Sequence, residues 1–140
     1  PVRFILYGLV GLSGLFLHLL VLGLAYRGFG LDFFLSQSLA TLLAMISNFF
    51  FNNIFTFRNQ RLKGSAFLIG AFLYMLICSV GAIANIQVAD YLFSLKVPWW
   101  VSGAVGALVG AVWNYAVSTQ IVWTWFRDKF VSSKKRISLS

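Results

Sequence analysis

A chain of 140 residues that is 60% hydrophobic, 18% aromatic and only 10% charged has too little polar surface for a soluble domain, which leaves a lipid bilayer as its solvent. The net charge of +8 would suit nucleic acid in a soluble protein, but here the basic residues flank apolar runs, so anionic lipid is the expected partner and nucleic acid is not. A lone cysteine, Cys78, excludes a disulfide framework and a cysteine metal site within one chain.

Four runs free or nearly free of charge, 4–26, 33–57, 64–89 and 97–126, each exceed the about 20 residues that a helix needs to cross the hydrocarbon. With no water there to satisfy backbone groups, each is predicted to be a continuous helix. The first run is too long for a signal peptide, although Gly23-Leu24-Ala25 resembles a cleavage site. Pro1 fits either a start exposed by loss of methionine or a cut from a longer chain.

Nine basic residues fall on one side of these spans: Arg3, then Arg58, Arg61 and Lys63 in the middle connection, then Arg127, Lys129, Lys134, Lys135 and Arg136. Only Arg27 and Lys96 fall on the other. The asymmetry predicts that both termini and the 58–63 connection are cytoplasmic. Trp99, Trp100 and Tyr91 then mark the outer boundary, and Trp123, Trp125, Phe55 and Phe57 the inner one. The expected architecture is an all-α membrane protein in which residues 1–127 form a four-helix transmembrane domain and 128–140 a basic cytoplasmic tail.

A shift of 66 residues lays Asn48-Phe49 over Asn114-Tyr115, Asn52-Asn53 over Ser118-Thr119, and Phe55-Thr56-Phe57 over Ile121-Val122-Trp123. The two halves therefore read as hairpin repeats. Each returns the chain to its starting side, so the repeats share one orientation and imply no inverted-repeat mechanism.

Chemistry is sparsely represented. There is no glutamate, and Asp32, Asp90 and Asp128 lie at span ends or in connections, which removes paired-carboxylate catalysis, carboxylate-coupled proton transport and most metal sites. No catalytic residue, metal or cofactor is expected. His18, the only histidine, is expected to bond a neighbouring helix.

The more informative polar residues are amides. Asn48 and Asn52 are one helical turn apart, as are Asn114 and Ser118, and with Asn53 they form a polar intramembrane face that serves either as interhelical bonding or as a ligand contact. Six residues, about 9 Å of helix, separate Asn52 from Arg58, a spacing that suits a lipid phosphate at the inner interface. The candidate phosphate ligands are Arg3, Arg58, Arg61, Lys63 and Arg127; orientation alone also explains them. Gly8, Gly11 and Gly14, and Gly103, Gly106 and Gly110, are spaced for close helix packing, within the bundle or across a homodimer seam.

Arg3-Phe4 followed by Gly8 and Gly11, and above all Asn48-Phe49-x-x-Asn52-x-x-Phe55-Thr56-Phe57-Arg58 with its echo from Asn114-Tyr115 to Trp123, resemble the GtrA-like family of small membrane proteins. The resemblance runs from Arg3 to about Arg127. Two positions depart from the family pattern: Asn53 stands where an arginine is usual, and Ser118 where the echo has a second asparagine. The resemblance implies work on a polyprenyl-phosphate-linked sugar in cell-surface polysaccharide or glycan assembly, in the cytoplasmic membrane of a prokaryote. It implies either translocation of that lipid or a noncatalytic anchor that presents it to a membrane-associated glycosyltransferase.

Overall fold

The computed structural model describes residues 2–118, which are helical apart from short connections and contain no strand. Four helices follow in order: α1 (Val2–Gly23), α2 (Phe33–Phe51), α3 (Ser65–Ser94) and α4 (Trp99–Ser118). The last part of the predicted 97–126 run, Ile121 to Trp123, Arg127 and the 128–140 tail lie outside the described residues, as do the side chains of Arg3 and Ser118.

Consecutive helices pack on one another, most closely α3 on α4 and α1 on α2, and α4 closes back on α1. The bundle is thus a ring of two hairpins with sparse contact across its diagonals. One end carries the 57–64 connection and its cations; the other carries the 29–32 and 95–98 connections. They are called here the basic end and the aromatic end.

Burial is the reverse of that in a soluble bundle. Phe16, Leu68, Phe72 and Val112 stand largely exposed, while His18, Ser36, Gln37, Asn52, Asn53, Asn85 and Ser102 are buried. Water would reverse both sets; hydrocarbon favours both as they stand. The stretches Gly8–Gly28, Phe33–Thr56 and Ser65–Ser94 are long and apolar enough to cross a membrane. The protein is therefore a multi-pass membrane protein. The described part of α4, 20 residues carrying Trp99, Trp100, Trp113 and Asn114, packs in the same bundle but is not one of those three stretches.

Local signals account for most helix ends. Asp32 caps α2, its Oδ1 accepting from the Leu35 N–H at 2.9 Å. Gly30 and Gly64 supply positive φ in the two connections that need it, at 67° and 56°. Two ends differ from continuous helix. Residues 24–28 and 52–56 form wide turns with five-residue hydrogen bonds, Phe29 N–H to Leu24 O and Phe57 N–H to Asn52 O, both 2.9 Å. A further difference lies in α3, predicted to end at residue 89, which runs on to Ser94 and carries Asp90 within the helix. No helix-breaking residue intervenes before Lys96, whose φ is 65°, and Pro98.

The α3–α4 contact is close because glycines meet backbone. A Cβ on Gly106 would sit 2.5 Å from Asn85 O, and one on Gly110 3.2 Å from Gly81 O. The α1 glycines divide differently: Gly14 abuts the Asn48 side chain, whereas a Cβ on Gly8 or Gly11 would meet nothing within 4 Å among the described residues. Of these three, Gly14 alone packs against a helix. Gly106→Ala should therefore force α3 and α4 apart and cost about 1–3 kcal/mol, read as a lowered thermal transition in detergent. Gly8→Ala should stay within about 0.5 kcal/mol of the parent by the same measurement.

Candidate functional site: a polar cleft between the first and fourth helices

Three helices are tied by one run of hydrogen bonds. His18 Nε2 on α1 lies 3.3 Å from Gln37 Oε1 on α2, an acceptor, so the tautomer protonated at Nε2 makes this bond. Gln37 Nε2 donates to Asn85 Oδ1 on α3 at 2.7 Å, and Asn85 Nδ2 donates to Thr41 Oγ1 at 3.0 Å. The Thr41 hydroxyl in turn donates to Gln37 O at 2.8 Å. The fourth helix touches this run through glycines, since a Cβ on Gly103 would lie 3.2 Å from Gln37 Oε1 and one on Gly106 2.6 Å from Asn85 Oδ1.

Between this run and the basic end, α1 and α4 enclose a cleft of about 200 Å³. Its walls are small: Gly8, Gly11 and Gly14 on α1, Ala44 on α2, Ala82 on α3, and Ala107, Gly110 and Ala111 on α4. Its polar groups are His18, Thr41, Asn48, Asn85 and Asn114. Leu12 and Leu108 line it yet are 64% and 55% exposed, which places its mouth on the lipid-facing side between α1 and α4.

The aromatic end is closed. A Cβ on Gly23 would lie 3.2 Å from the Trp99 ring, and Leu22 fills the space beside Gly103. Phe33 and Phe93 stack with centroids 4.2 Å apart, and Tyr26 meets both edge-on. The result is a pocket stoppered at one end, open sideways and polar at its depth.

The amides of the sequence motif separate. Asn48 and Asn114 both line the cleft. Among the described residues Asn48 Oδ1, shielded from solvent, has no hydrogen-bond partner, and a buried acceptor in that condition favours a donor from a ligand. Asn52, four residues on, lies in the wide turn, and its Oδ1 accepts from the Thr56 hydroxyl at 2.8 Å. Asn53 holds the connection to α3: its Nδ2 donates to Leu62 O at 3.1 Å and its Oδ1 accepts from Leu62 N–H at 2.8 Å. Neither Asn52 nor Asn53 lines the cleft.

Arg58, Arg61 and Lys63 are exposed on the connection between α2 and α3, away from the α1–α4 mouth in ring order. Arg3 belongs to α1, five residues before Gly8. The residues that reading along the sequence passed over are Gln37, Thr41 and Asn85. A signal existed for the first two, because Gln37, Thr41 and Asn48 recur at helical spacing on one face of α2.

The family described as GtrA/DPMS, transmembrane domain, matches residues 6–123. The chain belongs to this family. No curated protein and no solved structure matches it. Membership of the GtrA/DPMS family fits a membrane protein in glycosylation-related processes on lipid-linked sugars, and it spans all four helices described above.

Asn53→Ala should release Leu62 by removing both bonds, at a cost of about 1–3 kcal/mol. Limited trypsin digestion checks this: cleavage after Arg58, Arg61 or Lys63 should be faster than in the parent, with α1 and α4 fragments still associated.

Proposed function

We propose that this protein is a noncatalytic translocase for a polyprenyl-phosphate-linked sugar, working in the cytoplasmic membrane of a prokaryote in cell-surface glycan synthesis. In this reading α4 crosses the bilayer like the other three helices, both termini are cytoplasmic, and the cleft therefore opens on the inner half of the membrane. Family membership, which fits work on lipid-linked sugars, supports this substrate class, and the cleft is the place where the sugar would fit.

The observation that carries the reading is the unpartnered Asn48 Oδ1 in a polar cleft whose mouth faces lipid. A sugar hydroxyl is the donor that this acceptor lacks, and a lateral mouth lets the prenyl chain stay in hydrocarbon while the ring turns inward. Asn114, Thr41 and Asn85 offer further amide and hydroxyl groups along the path. The phosphate remains at the cytoplasmic rim, where Arg3, five residues before Gly8 on α1, is the cation nearest the cleft by position in the chain. With no carboxylate among the described residues of the cleft, movement follows the gradient set by consumption of the lipid outside.

Vesicles reconstituted with the chain alone and a labelled polyprenyl-phosphate sugar test this. The label should become accessible to an added reagent faster than in protein-free vesicles, and equal rates would remove the translocase reading in favour of an anchor that presents lipid to a glycosyltransferase. Asn48→Leu should slow the movement about threefold to tenfold, the worth of one hydrogen bond. Topology has its own check. In a Cys78→Ser background, an impermeant maleimide should label Phe29→Cys from outside intact cells, and Asn59→Cys only after permeabilisation.

A further inference from the structure

The α2–α3 side of the ring lies opposite the mouth of the cleft. There Leu43, Ile46 and Phe50 of α2 and Phe67, Ala71 and Met75 of α3, with Leu17 of α1 completing the wall, line an apolar groove of about 410 Å³. Four of the groove's residues, Phe49, Phe67, Ala71 and Met75, pack in one cluster with Phe57 and Leu62 of the 57–64 connection. Arg58 follows Phe57 in the chain, and Arg61 and Lys63 flank Leu62.

Two buried anchors thus hold three exposed cations at the basic end of the groove. Asn53 tightens the arrangement through its two bonds to Leu62. Cations on a free loop would explain orientation in the membrane and nothing more. Cations pinned above an apolar trough match an anionic lipid, with its chain in the groove and its phosphate oxygens on guanidinium and ammonium N–H groups.

We propose that this face is a binding site for an anionic phospholipid of the surrounding bilayer, separate from the cleft and independent of the transport reading. Ring order favours a bilayer phospholipid over the sugar-bearing lipid: a phosphate held by Arg58 and Arg61 leaves the bundle itself between its headgroup and the cleft. The bound phospholipid would brace the α2–α3 hairpin connection from outside, as Asn53 does from within.

Native mass spectrometry of the full chain, delipidated in detergent and titrated with dioleoyl phosphatidylglycerol or dioleoyl phosphatidylcholine, tests the site. One phosphatidylglycerol per chain should be retained in preference to phosphatidylcholine. Arg58→Gln, Arg61→Gln and Lys63→Gln together should weaken that retention about a hundredfold, at the usual strength of a basic residue on an anionic surface. Ile46→Trp, which fills the groove from its exposed side and keeps every charge, should weaken it as well. Thermal transitions confirm that each variant is folded, and if the triple variant fails to fold, Arg61→Gln and Ile46→Trp decide the matter. Undiminished retention in the charge variants overturns the proposal. So does an Ile46→Trp protein that binds normally, since a diffuse positive surface would then suffice. Displacement of phosphatidylglycerol by equimolar undecaprenyl phosphate would overturn it too, by assigning the site to the transported lipid.

Discussion

A polar side chain inside hydrocarbon must find its partner within the protein, and the run from His18 through Gln37 and Asn85 to Thr41 is how three helices meet that demand together. Each bond in such a run is worth roughly 0.6 kcal/mol on average, so its importance lies less in energy than in register. It sets the depth of α1 against α2 and of α2 against α3. Helix α4 has no polar member in the run, but Gly103 and Gly106 let its backbone come up against Gln37 and Asn85. A side chain at Gly106 would collide with the Asn85 amide, and one at Gly103 with Leu22 beside Gln37.

From that level the two ends of the bundle diverge in character. Toward the aromatic end, side chains interlock: Leu22 beside Gly103, Trp99 over Gly23, Phe33 on Phe93. Toward the basic end, Gly8 and Gly11 offer nothing to fill the space opposite Ala107 and Ala111, and the cleft is what remains. Glycine at a three-residue spacing thus does two opposite things within one helix, since Gly14 seats the Asn48 side chain and its neighbours toward the basic end keep a volume clear.

Composition alone was enough to read the membrane setting and the helical class, because the bilayer imposes one solution on any long apolar run. The motif residues were legible only in part. Asn48 and Asn114 were found by their spacing and do line one cleft. Asn52 and Asn53 were grouped with them on the assumption of regular helix, and the wide turn at 52–56 breaks that assumption, sending one amide to Thr56 and the other to Leu62. Asn85 escaped notice because its one near amide in a 30-residue apolar helix, Gln87, is two residues away and gives no helical period; its meaning depends on Gln37, distant in sequence and 2.7 Å away in space. His18, by contrast, followed the general rule for a lone intramembrane imidazole and bonds a neighbouring helix.

Helix α3 is 30 residues long, about 45 Å at the usual helical rise, against a hydrocarbon thickness of about 30 Å. The surplus is absorbed by tilt or by projection of its last turns, where Asp90 sits, into the headgroup layer. Because glycine contacts bind α4 closely to α3, the pair tilts as a unit, while α1 is held to α4 chiefly near Gly23 and Trp99. Bilayer thickness therefore bears first on the α3–α4 pair, the most closely packed pair of helices among the described residues.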